Sequence, residues 1–91
     1  AYARAPGSDA AYQGARARLR AGDVAGADAA LRRVLATYTT EPAAARAGYL
    51  LADLALDAGR EGDARAGFRA VAERHADSPW APLAALRGAL L

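Results

Sequence analysis

The stretch Gly22–Pro42, GDVAGADAALRRVLATYTTEP, occurs twice. Shifted by 37 residues, it falls on Gly59–Pro79, GREGDARAGFRAVAERHADSP. Gly22 meets Gly59, Ala27 meets Ala64, and Leu31 meets Phe68. Val34 meets Val71, Tyr38 meets His75, and Pro42 meets Pro79. The shared positions are those that helix packing needs. They are a turn glycine, a small residue, large apolar residues at three- and four-residue steps, and a proline that marks a restart. Self-similarity at this period is the signature of a helical array.

The composition agrees. Of the 91 residues, 29 are alanine, the best helix former, while the strand-favouring Val, Ile and Thr are scarce. One small all-α domain is therefore expected. Its 12 basic residues are all arginine, the usual result of a GC-rich genome. Ten carboxylates are spread among them, for a net charge of +2. That is a mixed solvated surface without the basic stripe of a nucleic-acid binder. There is no cysteine, so disulfides, thiolate chemistry and cysteine metal sites are excluded. No apolar run approaches the roughly 18 residues of a membrane span, so no direct membrane insertion is expected. No signal peptide is visible. The chain begins without methionine and contains none, as expected for a piece of a longer protein, and its compartment stays open.

Residues 1–7 carry Pro-Gly and no period, and read as a linker or frayed end. The repeat domain is expected over 8–91, with repeats at about 8–41 and 42–78 and a last helix over 79–91. Ser8 or Asp9 is expected to cap the first helix, which carries Tyr12, Ala15 and Leu19 on one face and stops at Gly22. Asp23 caps the second, whose apolar face is Val24, Ala27, Leu31, Val34, Leu35 and Tyr38. Asp28 and Arg32, four apart, form a surface pair. Thr40 or Glu41 caps the third, with Pro42 in its first turn. The third helix is apolar on more than one face and should be central. The fourth turns Ala64, Phe68, Val71 and Ala72 inward and ends at His75. The fifth starts at Trp80, which is expected to pack against the fourth. Its apolar residues Leu83, Leu86, Leu90 and Leu91 surround a single charge, Arg87. Short links make the helices antiparallel hairpins in the order A, B, A, B, A. One side of the last helix covers the third and fourth, and the other is left exposed.

At these residues the chain resembles tetratricopeptide repeats. The family's B helix carries alanine, a large apolar or aromatic residue, then another small or apolar one. Here these are Ala27, Leu31 and Val34, then Ala64, Phe68 and Val71. The turn glycines are Gly22 and Gly59. The resemblance covers about Asp9 to Leu91 and implies a right-handed array of five helices, two repeats plus a final helix. Two features depart from the usual pattern. The spacing exceeds the family's ordinary 34. The tryptophan and Leu-Gly of helix A are replaced by Ala11, Gly14 and Ala15, then by Gly48, Leu51 and Ala52. The longer links, Tyr38-Thr-Thr-Glu-Pro and His75-Ala-Asp-Ser-Pro, are similar to those of bacterial cell-envelope proteins. These include the Tol-Pal coordinator and the lipoprotein of the outer-membrane assembly machine. That likeness favours the periplasm or envelope over the cytoplasm.

The resemblance implies a protein-interaction scaffold that takes a partner peptide or domain in the groove lined by the A helices. Packing at Ala15, Leu51 and Ala52 sets the phase of that groove. It selects Asp9, Tyr12, Arg16, Leu19 and Arg20 in the first helix. In the third it selects Arg46, Tyr49, Asp53, Leu56 and Asp57, and in the fifth Leu83, Leu86 and Leu90. Tyr12 and Tyr49 are repeat equivalents suited to interface use. Arg16, Arg20 and Arg46 are placed to clamp a carboxylate. The competing reading is that the tyrosines pack between adjacent helices and that Asp53 and Asp57 neutralise the arginines. A second function is self-association through the unpaired last helix. His75, the only histidine, is expected to pack at a helix C-terminus as a cation. No phosphate loop, nucleophile–base pair or metal-ligand spacing occurs, so neither an enzyme nor a cofactor is expected.

Overall fold

The computed structural model describes residues 7–39 and 42–91. It contains five helices: α1 (Ser8–Arg20), α2 (Val24–Thr37), α3 (Pro42–Asp57), α4 (Glu61–Arg74) and α5 (Trp80–Leu90). The expected caps of α3, Thr40 and Glu41, and the proposed linker up to residue 6 lie outside the described residues. Among the described residues there is no strand, and no helix is long and apolar enough to cross a membrane.

The 37-residue repeat is kept in the backbone at the glycine turns and at the ends of the B helices. Gly22 and Gly59 take φ of 86° and 80°, the left-handed conformation that glycine adopts without strain. After α1, the Asp23 amide donates to the Arg18 carbonyl and the Gly22 amide to that of Leu19. After α3, Arg60 donates to Ala55 and Gly59 to Leu56. Both pairs are the double closure that satisfies the last carbonyls of a helix before a glycine. The far ends of the B helices match as well. Tyr38 and His75 leave α2 and α4 with nearly equal dihedrals, and their amides donate to Val34 and Val71.

Helix starts are less uniform. Asp23 caps α2 as its sequence suggests, its carboxylate accepting from the Gly26 amide at 2.9 Å. The α1 start differs from expectation. Gly7 is the cap residue at φ 90°, with no side-chain cap bond, and both Ser8 and Asp9 lie inside the first turn. A positive φ turns the chain directly into the helix, so no capping side chain is used. Asp9 still complements the partial positive charge of that helix end.

α3 is central. It touches all four other helices, and its residues feed two separate cores. Ala43 and Ala47, with half-buried Leu50, Leu51 and Leu54, join Tyr12, Ala15, Leu31 and Val34 in the first. Ala52 and Ala55, with half-buried Tyr49 and Leu56, join Ala64, Phe68, Val71 and Ala84 in the second. The A helices α1, α3 and α5 touch in series, whereas α2 and α4 make no direct approach to each other. One expected core residue is displaced. Val24 opens α2 and is 52% exposed.

Candidate partner-binding surface

The A-helix face is largely occupied by its own neighbours. Tyr12 of α1 is only 5% exposed. Arg46 of α3 lies over its ring at 4.7 Å and pairs with Asp9 at 3.0 Å. The same device recurs one hairpin later. Arg87 of α5 lies 5.5 Å from the Tyr49 ring centroid and 4.9 Å from that of Phe68. It pairs with Asp53 at 2.8 Å and donates to the Tyr49 hydroxyl at 3.3 Å. Those bonds, to Tyr49 first and Asp53 next, hold the Arg87 guanidinium above its ordinary range. Each tyrosine is thus a seat for an arginine of the next A helix, a cation–π contact of roughly 0.5–2 kcal/mol. The two seats explain why both arginines can be half-buried, since each has a carboxylate and a ring face in place of water.

The thirteen residues selected from sequence therefore divide, with Asp9 held by Arg46 in the first cluster. Tyr12, Arg46, Tyr49 and Asp53 are brought together, in two clusters that join successive A helices. Leu19 and Leu56 are half-buried, and Leu56 belongs to the second core. Arg16, Arg20 and Asp57 point to solvent. Leu83, Leu86 and Leu90 are 48%, 59% and 76% exposed.

Arg87 and Trp80 escaped the selection. Trp80 packs on the second core, its ring 5.0 Å from that of Tyr49 on α3. The signal for Arg87 was its isolation. A lone charge on an apolar helix needs a partner if that helix is to pack, and Asp53 supplies it. A shallow cleft of about 360 Å³ crosses the start of the A layer, where Asp9, Gln13, Arg46 and Trp80 converge.

His75 corrects a further expectation. Burial, and secondarily the Arg74 guanidinium, push its pKa down from the usual value. Desolvation at the end of α4 thus opposes the cationic form expected there. Among the described residues no group of three His, Asp or Glu side chains is placed to hold a metal ion.

No protein-family model matches the chain, and no curated protein or solved structure matches it at a significant level.

Proposed function

We propose that the chain is a protein-interaction module, a tetratricopeptide-like array within a larger bacterial protein, whose A layer receives a partner polypeptide. One observation carries this reading. Positions 9, 12 and 16 of α1 correspond to 46, 49 and 53 of α3 and to 83, 86 and 90 of α5. In α1 the next A helix covers the first two of these, Asp9 and Tyr12, through Arg46, and in α3 it covers the last two, Tyr49 and Asp53, through Arg87. In α5 the same three positions are all leucine, and all are bare. An amphipathic helix lying on α5 as α5 lies on α3 would bury that stripe, at roughly 25 cal/mol per Å² of apolar surface removed from water.

Self-association is a second reading of the same seat. Leu83, Leu86 and Leu90 have the three- and four-residue steps of a two-helix seam. The only charged residue of α5, Arg87, is turned inward onto Asp53. A two-fold pairing of α5 helices would therefore bring no like charges together. An 11-residue helix offers less than the roughly 800 Å² per partner of a stable interface, so such a dimer would be weak.

Sedimentation across a concentration range tests both readings. A weak reversible dimer that Leu86→Glu or Leu90→Glu abolishes is the outcome expected of self-association. A chain that stays monomeric at high concentration eliminates the second reading and leaves α5 to a different partner. If Leu86→Glu changes neither mass nor the binding of an apolar dye, the stripe is not a docking seat.

A further inference from the structure

A cleft larger than the one beside Trp80 lies away from the A-layer candidates. Because α2 and α4 do not approach each other, a cleft of about 430 Å³ opens between them above α3. That volume falls within the roughly 300–1,000 Å³ of sites that accept ligand groups. Its floor is made of small residues, Gly48, Ala52 and Ala55 of α3 and Gly67 of α4, and Leu35 and Leu51 supply apolar walls. The cleft is open rather than enclosed, so it suits the side chains of a passing segment more than a whole small molecule.

Its rim is basic. Arg32 stands on the α2 side, with Arg60 and Arg74 on the α4 side, against one lining carboxylate, Asp63. Arg32 is paired with Asp28 at 2.9 Å, and Arg60 with Asp63 at 3.5 Å. Arg74 has no carboxylate within ion-pair distance among the described residues, so the rim keeps a positive excess. Arg60 precedes α4 and Arg74 ends it, so the two bracket a helix of 14 residues, about 21 Å at 1.5 Å per residue.

We propose that this cleft docks an acidic amphipathic helix of a partner protein. Its apolar side chains enter between α2 and α4, and its carboxylates meet Arg60 and Arg74 near the two ends. Helix-in-groove recognition of this kind uses apolar anchors at helical spacing, and flanking charge adds partner choice and on-rate. A second copy of the chain does not supply this ligand. Its one helix with a bare leucine face, α5, carries no carboxylate. The site is separate from the α5 seat and stands or falls without it.

The test uses a 14-residue probe peptide with leucines on one face and glutamates on the other, and a counterpart with lysine for every glutamate. The isotope-labelled chain is titrated with each and followed by NMR. The glutamate peptide should saturably shift the amides of Gly48, Ala55 and Gly67. The lysine peptide should bind at least tenfold more weakly. Arg74→Glu and Arg60→Glu should each weaken the glutamate peptide several-fold, with the helical circular-dichroism spectrum retained, and added salt should do the same. Leu86→Glu should leave this binding unchanged, so a failure of the α5 seat is read separately. Equal binding of the two peptides, shifts confined to Leu83–Leu90, or no saturable shift would each overturn the proposal.

Discussion

The two hairpins, α1–α2 and α3–α4, turn and end alike and have different contents. Their turn glycines, helix ends and closing hydrogen bonds correspond one for one. Leu31 in one and Phe68 in the other are both fully buried at the same position. The differences lie in how closely each hairpin is packed and how its helices are capped. At positions 11 and 30 the first hairpin has alanines. At the equivalent positions 48 and 67 the second has glycines. A Cβ on Gly67 would sit 2.9 Å from the Ala52 Cβ, and one on Gly48 would sit 2.8 Å from Val71 Cγ2. The second hairpin is built on two close approaches across one interface. Backbone pattern alone thus sets the repeat, and side-chain volume sets how tightly each copy closes.

Removing those close approaches gives the largest expected effect. Gly67→Ala meets a Cβ with backbone behind it, so α3 and α4 must separate by tenths of an ångström. Overpacking typically costs about 1–3 kcal/mol, and alanine returns about 1 kcal/mol of helix propensity. The net outcome is a loss of up to about 2 kcal/mol in urea unfolding followed by circular dichroism. Gly48→Ala should act similarly, because a helical valine has little freedom to turn away. The double variant should lose less than the sum, since helices already separated by one alanine accommodate the second. Gly14→Ala, which meets nothing within 4 Å, should have the opposite sign, a gain of up to about 1 kcal/mol. A loss at Gly14 or a gain at Gly67 would refute the packing argument.

That contrast also marks what could be read from the sequence. The repeat, the five helices, the glycine stops, the Asp23 cap and the central α3 were legible, because each depends on local chemistry or on apolar spacing. The seating of Arg46 and Arg87 was not. Helical phase put Tyr12, Tyr49 and Asp53 on the right face. Whether that face opens to solvent or meets the next A helix depends on the distance between helices, which no local pattern encodes. The close approaches at Gly48 and Gly67 had no local signal for the same reason. The cleft between α2 and α4 is a gap left by two helices that do not touch, and a gap has no sequence signature of its own.

Capping is the next difference to break, at about 1 kcal/mol. Asp23 accepts from the Gly26 amide, whereas its equivalent Arg60 supplies no side-chain cap to α4. Asp23→Ala should lower stability by about 0.5–2 kcal/mol. Arg60→Ser should raise it by a similar or smaller amount. The lost Arg60–Asp63 pair is exposed and long at 3.5 Å, and such pairs contribute little. Thermal unfolding of the two variants against the parent chain checks both signs. A destabilised Arg60→Ser would mean that the arginine holds the start of α4 by some means other than its exposed pair.

The smallest expected effect is at the ends of the B helices, where the first hairpin has Tyr38 and the second has His75 at the equivalent position. Burial beside Arg74 lowers the His75 pKa in the folded chain. The unfolded chain then binds the proton more readily, so stability rises with pH across the window between the folded and unfolded values. Above the ordinary value of 6.5 the imidazole is neutral in both states and imposes no penalty. As pH falls below that value, the folded state progressively loses stability, and the loss is complete only below the lowered folded pKa. His75→Tyr makes the second hairpin end as the first does and removes the titration. Unfolding midpoints of both proteins between about pH 5 and 8, a range that brackets the histidine titration, should converge at the alkaline end after correction for a constant offset. They should diverge toward pH 5, with the parent chain falling faster. Parallel profiles would show that the His75 ring is solvated when folded. A parent chain that gained stability toward pH 5 relative to the variant would mean that the imidazolium is held by the carbonyls ending α4, and that the helix terminus outweighs burial there.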